Sequence, residues 1–231
     1  MPPDSIVREQ AWFVIPAYNE AAVIQSVVAQ VRSCYPNVVV VDDGSSDDTA
    51  REATRAGAIV VTHPINLGQG AALQTGMDFA LRQQAGYIVT FDADGQHCLE
   101  DVDSMLHVLQ AENCDVVLGS RFCGSAENLP RLRWLVLKVA IRFTRLTTGL
   151  NLTDTHNGIR VLRASAATKI RLRQNGMAHA SELLNQVAAL KLRYIEVPVT
   201  IHYTAYSVHK GQKLSNSISI LMDLLIARFT K

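Results

Sequence analysis

The chain reads as an α/β protein, a Rossmann-like and mainly parallel sheet with helices on both faces and amphipathic helices in its C-terminal half. Three observations predict this. Short β-branched runs alternate with stretches of helical periodicity through the first half, which is the pattern of βα units. The ends of the predicted strands carry small, polar or acidic residues, as expected where an open sheet binds its ligand. At 231 residues, 48% apolar and 19% charged, there is material for one domain with a real core.

The elements follow in order. Strands are predicted at Trp12 to Ile15, Val38 to Val41, Ile59 to Thr62, Tyr87 to Phe91 and Val116 to Gly119. Val23, Val27 and Val31 share a helical face with Ile24 and Val28, and Leu73, Met77, Ala80 and Leu81 repeat the arrangement. Asp47 or Asp48 caps a helix through Ala50 to Ala56, which Gly57 closes. After Gly119 the pattern changes to a Gly/Ser/Asn/Pro stretch, Cys123 to Pro130. A basic amphipathic helix, Arg131 to Arg145, follows and suits an anionic membrane surface or packing on the domain. Leu214 to Phe229 forms a further helix with more apolar face than a core helix needs, which a partner, a second copy or lipid would cover.

Composition excludes several classes. A net charge of +1 argues against a nucleic-acid binder working through bulk charge. Cys34, Cys98, Cys114 and Cys123 form no Cys-x-x-Cys pair, so free thiols in a reducing compartment are expected. His97-Cys98 lacks the second ligand pair that zinc would need. The N-terminus has no apolar signal core, and no stretch approaches the roughly 18 apolar residues of a membrane span. The expected location is the cytoplasm, peripheral at the cytosolic face of a membrane.

Ile88 to Phe91 runs into Asp92-Ala93-Asp94-Gly95-Gln96-His97. In an extended chain residues i and i+2 point the same way, so Asp92, Asp94 and Gln96 would share a face. Carboxylate and amide oxygens suit Mg²⁺ or Mn²⁺, which usually shares its shell with phosphates. An Asp-x-Asp at a strand end is also an ordinary solvated turn, so the neighbouring strand ends matter. The first ends in Pro16-Ala17-Tyr18-Asn19-Glu20, the second in Asp42-Asp43-Gly44-Ser45-Ser46-Asp47, and the fifth in Gly119-Ser120-Arg121. After the third, Gly68 and Gly70 open a helix and would offer backbone N–H groups to a phosphate. Five such ends along one edge outweigh any one motif.

In this order the motifs resemble the family 2 glycosyltransferases of GT-A fold, and within them the dolichol-phosphate mannosyltransferase and polyprenyl-phosphate glycosyltransferase branch. The likeness runs from about Trp12 to Lys213 and includes Glu196-Val197-Pro198. It implies one domain over 1–231, with a nucleotide-sugar half over about 10–122 and an acceptor- and membrane-facing half over about 123–231. Pro16, Ala17, Tyr18, Glu20 and Asp43 would line the nucleoside pocket with Asp42 nearby, and Gly68, Gly70, Asp92 and Ala93 would face the rest of the donor. Asp92, Asp94 and Gln96 would hold Mg²⁺ or Mn²⁺, with Asp94 essential to turnover.

The branch implies a polyprenyl-phosphate acceptor, already ionised and needing no general base. Arg121 would bind that phosphate, helped by Arg131 or Arg133, since arginine pairs phosphate in two places. The structural alternative for Arg121 is a salt bridge to a sheet-end aspartate. A saccharide hydroxyl acceptor, as in cell-surface polysaccharide synthesis, would need a carboxylate base, and Asp154 and Glu182 are the candidates. Direct attack would invert the anomeric carbon.

The sequence also departs from the branch. Where relatives carry an arginine and Gly-x-Ser-Lys after Glu-Val-Pro, in a loop that closes on the pyrophosphate, this chain has Tyr206 to Lys213, and His209 and Lys210 would supply the charge. The C-terminal transmembrane helices that many members of the branch carry are not expected here, and a separate membrane partner or peripheral binding through the basic helix would replace them. Phosphatase, receiver and dinucleotide-binding readings fail on the residue after Gly95, on length and on Leu73 respectively. A domain that binds nucleotide or a partner without turnover is the non-enzyme alternative.

Overall fold

β-Branched residues with both faces covered favour central parallel strands. Ala11–Ala17 (β1) is buried at every position and follows a short helix, Ser5–Gln10 (α1). The computed structural model describes residues 3–127, 131–155, 157–176 and 178–202. After β1 come Ile24–Arg32 (α2), Asn37–Asp42 (β2), Thr49–Arg55 (α3), Ile59–Thr62 (β3), Gln69–Arg82 (α4) and Tyr87–Thr90 (β4). The second half adds Leu99–Ala111 (α5), Val116–Glu127 (β5), Arg131–Thr148 (α6), Arg160–Arg163 (β6), Ala164–Ala167 (α7), His179–Ala189 (α8) and Tyr194–His202 (β7).

The strands form one sheet in the order β3-β2-β1-β4-β6-β5-β7. β1 pairs in parallel with both β2 and β4, so the chain leaves β1 in opposite directions along the sheet. That reversal opens a crevice at the carboxyl ends of β1 and β4. β6 is antiparallel to β4 and to β5, while β5 and β7 are parallel. Alternation along the strands divides the core between the two faces. Phe13, Ile15, Val38, Val40, Val89 and Phe91 pack with apolar residues of α2 and α5. Val14, Val39, Val41 and Ile88 pack with those of α4 and α8.

The five expected strands are present, and two more join them. Residues 123–127, expected in the Gly/Ser/Asn/Pro stretch, instead continue β5, pairing with β7 beyond an irregularity between Ser120 and Ser125. Asp48 takes the N-cap position of α3, but its side chain turns to Arg51, and the Thr49 N–H goes to Asp47 Oδ1 at 3.1 Å. Gly57 closes that helix with φ +89°. The basic helix is α6, where Trp134 and Leu146 are exposed and Lys138 Nζ lies 4.0 Å from the Phe122 ring centre. No helix among the described residues is long and apolar enough to cross a membrane. The expected C-terminal helix, Leu214 to Phe229, lies outside the described residues.

Candidate active site

The loops after β1 and β2 interlock. Asn19 adopts a left-handed conformation (φ 52°), gives its N–H to Ser45 Oγ at 2.9 Å and accepts the Ser46 N–H at 2.8 Å. Glu20 N–H reaches Thr49 Oγ1 at 2.7 Å, and the Glu20 carbonyl accepts the N–H groups of Val23 and Ile24. Pro16 and Ala17 end β1 opposite Val41 and Asp42, and Tyr18 is 45% exposed beside them. An exposed ring on a rigid strand end is a suitable platform for a flat ligand.

Asp42 and Asp43 are both buried. Asp42 Oδ1 accepts the Ser45 N–H at 3.3 Å. Asp43 is a hub, with His63 Nδ1 at 2.7 Å, Leu67 N–H at 2.9 Å and Gly68 N–H at 2.7 Å from its carboxylate. His63 Nε2 lies 3.0 Å from Thr75 Oγ1. Asp43 therefore holds the turn into α4, a role for which the sequence offered a nucleoside contact instead. The N–H groups of Gly68 and Gly70 are also committed: the first goes to Asp43, the second to Asn175 O at 2.7 Å. A Cβ at Gly70 would lie 2.0 Å from Gln174 O. The glycines allow the 174–176 loop to pack here, rather than cradling a phosphate through those two N–H groups.

β4 stops at Thr90, and Asp92 to Gln96 form a turn with Gly95 at φ +72°. The extended alternation expected for Asp92, Asp94 and Gln96 is thus replaced by a turn, because the β1 pairing ends there. The two aspartates still face one another electrically. Burial, then the negative charge of Asp92, pushes the Asp94 carboxyl up to about 6. Burial also acts to raise Asp92, yet His97, Arg160 and His179 together hold it below the ordinary carboxylate range. Asp92 Oδ2 lies 3.1 Å from His97 Nε2, and Oδ1 accepts from Gln69 Nε2 at 3.2 Å. Gln96 N–H bonds Asp94 Oδ1 at 3.1 Å, while its carbonyl accepts the His202 N–H at 3.0 Å. Ala93 is buried between the aspartates.

A buried carboxyl raised by the charge of a neighbouring carboxylate, with an amide nearby, belongs to the kind of oxygen set a hard divalent cation relieves. Among the described residues no group of three or more His, Cys, Asp or Glu side chains gathers as a metal cage. An ion here would complete its shell with Gln96, water and substrate oxygen. The Gly158 backbone backs this site so tightly that a Cβ there would lie 1.9 Å from Asp92 Oδ2.

Arg121 and Asp154 form a buried ion pair, with Arg121 Nε and backbone N at 2.7 and 3.1 Å from Asp154 Oδ2. The remaining oxygen, Oδ1, accepts the Thr155 N–H. Glu196 secures this loop by accepting the N–H groups of Thr153 and Asp154, and burial raises its carboxyl. Glu182 accepts the N–H groups of Arg173 at 2.9 Å and Gln174 at 2.8 Å. Asp154 and Glu182, the candidate bases for a hydroxyl acceptor, are thus each held in bonds that build the fold. Arg131 and Arg133 open α6. His209 and Lys210 lie outside the described residues.

Sequence reasoning missed Gln69, His63, Arg160 and His179 and left His97 unassigned. Gln69, between the two glycines, was the one with a local signal. The buried atoms His97 Nδ1 and Asn157 Nδ2 have no hydrogen-bond partner among the described residues.

Residues 12–171 match the family model described as Glycosyl transferase family 2. The UDP-N-acetylglucosamine–dolichyl-phosphate N-acetylglucosaminyltransferase of Methanococcus voltae is 32% identical, over 95% of this chain and 96% of its own. The polyprenol monophosphomannose synthase of Mycolicibacterium smegmatis is 30% identical, over 85% of this chain and 79% of its own. Glucosyl-3-phosphoglycerate synthase from Mycobacterium tuberculosis, crystallised with Mn²⁺ and UDP-glucose, superposes with a TM-score of 0.73. At 21% identity, over 97% of this chain and 82% of that one, it shares the fold.

Proposed function

Because the chain belongs to glycosyl transferase family 2, we propose that it moves a sugar from a UDP- or GDP-linked donor to a polyprenyl or dolichyl phosphate, with inversion. As a member of that family it is a glycosyltransferase, and the expected GT-A architecture is the one it has. The observation that carries the reading is the Asp92 and Asp94 pair at the crevice where the sheet reverses. The names of its relatives supply the acceptor class.

The interlocked loops after β1 and β2 would receive the nucleoside, with Tyr18 as the exposed ring and Asp43 keeping the turn into α4 in place. Asp92, Asp94 and Gln96 would hold Mg²⁺ or Mn²⁺, which when bound offsets the charge gathering on the departing nucleoside diphosphate. An oxygen of the acceptor phosphate attacks the anomeric carbon from the opposite side. The bond from that carbon to the β-phosphate oxygen breaks, and its electron pair leaves with the nucleoside diphosphate. No proton has to move. His97 and Gln69 orient Asp92 throughout.

The phosphate acceptor is favoured over a saccharide hydroxyl because Asp154 and Glu182 are engaged elsewhere. Exposed Trp134 and Leu146 on α6, with Lys138 and Arg142 nearby in sequence, fit peripheral attachment to an anionic membrane at its cytosolic face. The test is direct. Purified protein is incubated with UDP- and GDP-sugars, a short-chain polyprenyl phosphate and Mn²⁺ or EDTA, and the lipid product is read by mass spectrometry. A glycolipid formed only with metal is expected. Nucleotide binding with every donor left intact would support the non-catalytic alternative.

A further inference from the structure

Among the described residues Arg160 is an unusual charge. It opens β6, the antiparallel strand wedged between β4 and β5, and pairs in register with Thr90 and Leu118. Two residues beyond Thr90 is Asp92, and the turn that leads into β6 is fixed there, since Thr90 Oγ1 donates to Gly158 O at 2.6 Å. Its strand neighbours Ile159 and Val161 pack into the core on one face of the sheet, and Leu162 into the core on the other. Alternation puts the Arg160 side chain on the same face as Leu162.

Arg160 is only 4% exposed. Burying a guanidinium is costly unless its donors are met, and it has five of them. Among the described residues none is met, as Arg160 makes neither a side-chain hydrogen bond nor an ion pair within 4.0 Å. Two carboxylates, Asp92 and Asp154, sit close enough to act on its charge. Both are spent: Asp92 on His97 and Gln69, Asp154 on Arg121 and Thr155. The protein thus holds a fork-shaped cation with no acceptor of its own, within reach of both the aspartate of the cation site and the aspartate that steadies Arg121.

We propose that Arg160 binds a phosphate oxyanion at the point of sugar transfer, and this rests on the glycosyltransferase reading above. Planar, bidentate pairing with phosphate is what a buried arginine does well and a lysine does poorly. Its nearness to both Asp92 and Asp154 allows two sources of that oxyanion, the β-phosphate of the donor and the phosphate of the acceptor. With a divalent cation on Asp92 and Asp94, Arg160 would face that cation, and an anion between the two removes the repulsion.

The experiment is binding, measured without turnover. Wild type, Arg160→Gln and Arg160→Lys are titrated by calorimetry with UDP and GDP in Mn²⁺ and, separately, with citronellyl phosphate as a soluble prenyl phosphate. Ligand-free thermal midpoints are recorded alongside. The expected result is a loss of about 10- to 100-fold in Arg160→Gln, the scale for a charge-assisted hydrogen bond, with Arg160→Lys in between. Loss for the nucleoside diphosphate names the donor as the source, and loss for citronellyl phosphate names the acceptor. Should Arg160→Gln not fold, Arg160→Lys, which keeps the charge, carries the test with a loss of about severalfold. A variant with a lower ligand-free midpoint but unchanged affinity for both ligands would make Arg160 structural and overturn the proposal. Wild-type protein that binds none of these ligands would overturn the functional reading instead, and the proposal with it.

Discussion

Replacing Asp94 by asparagine probes the charge balance of the site before any turnover is measured. Burial and the negative charge of Asp92 lift the Asp94 carboxyl to about 6. At about 1.4 kcal/mol per pH unit, a lift of about two from the ordinary value costs the ionised form about 3 kcal/mol at neutral pH. Partial exposure to solvent screens this to about 1–2 kcal/mol. The sign follows from proton linkage. A carboxyl with a raised value binds its proton more tightly in the folded state than in the unfolded one. Its contribution to stability is therefore full below about pH 4 and is lost as the pH rises through about 6. Asparagine carries no charge at either extreme. In EDTA at pH 7.5, Asp94→Asn should melt about 2–8 °C above wild type, at about 2–4 °C per kcal/mol for a chain of this size. At pH 4.5 the difference should shrink towards zero. Scanning fluorimetry at the two pH values reads both numbers. With Mn²⁺ and a nucleoside diphosphate the order should reverse, since only wild type gains a ligand. An asparagine variant that melts at or below wild type at pH 7.5 in EDTA would refute the reasoning.

Other substitutions test neighbouring parts of the site. Asp94→Ala should lose at least about 100-fold in turnover, the scale for a lost electrostatic stabiliser, and near-normal rates in a folded variant would sink the metal assignment. Gly158→Ala places a methyl where Asp92 Oδ2 now sits, so Mn²⁺ affinity by calorimetry should fall about 10-fold or more; unchanged affinity would show that Asp92 is not a ligand. Asp154→Ala strands a buried Arg121 and should cost about 3–5 kcal/mol in urea unfolding, whereas a cost under about 1 kcal/mol would mean the pair is solvated. Glu182→Gln should keep turnover within about threefold while losing about 1–2 kcal/mol of stability. A large rate loss at unchanged stability would restore Glu182 as a base.

The parts of this protein that were legible in sequence share one property: their signal is local. β1 and β2 could be read because strands buried on both faces must be continuous apolar runs. The strand-end motifs could be read because turns at these ends require particular residue types within a few positions. β6 could not. Its four residues, Arg160 to Arg163, carry an arginine at each end and only two apolar residues, too short a run to separate from a loop. β7 was hidden similarly, with a proline inside it and Glu196, Thr200 and His202 interrupting its apolar residues.

The roles of individual side chains divide in the same way. The sequence by itself determined the α/β class, the family, and the edge of the sheet at which chemistry would occur, because spacing and residue type carry that information along the chain. Only the tertiary structure decided that Asp43 anchors a turn through His63, 20 residues on, and Gly68, 25 residues on. It alone tied Asp154 to Arg121 across 33 residues and brought Arg160 beside Asp92. A carboxylate or guanidinium specifies what it can bind, but which partner it meets depends on strand order. In this sheet an antiparallel strand slips between β4 and β5, and that order is set by packing both faces at once.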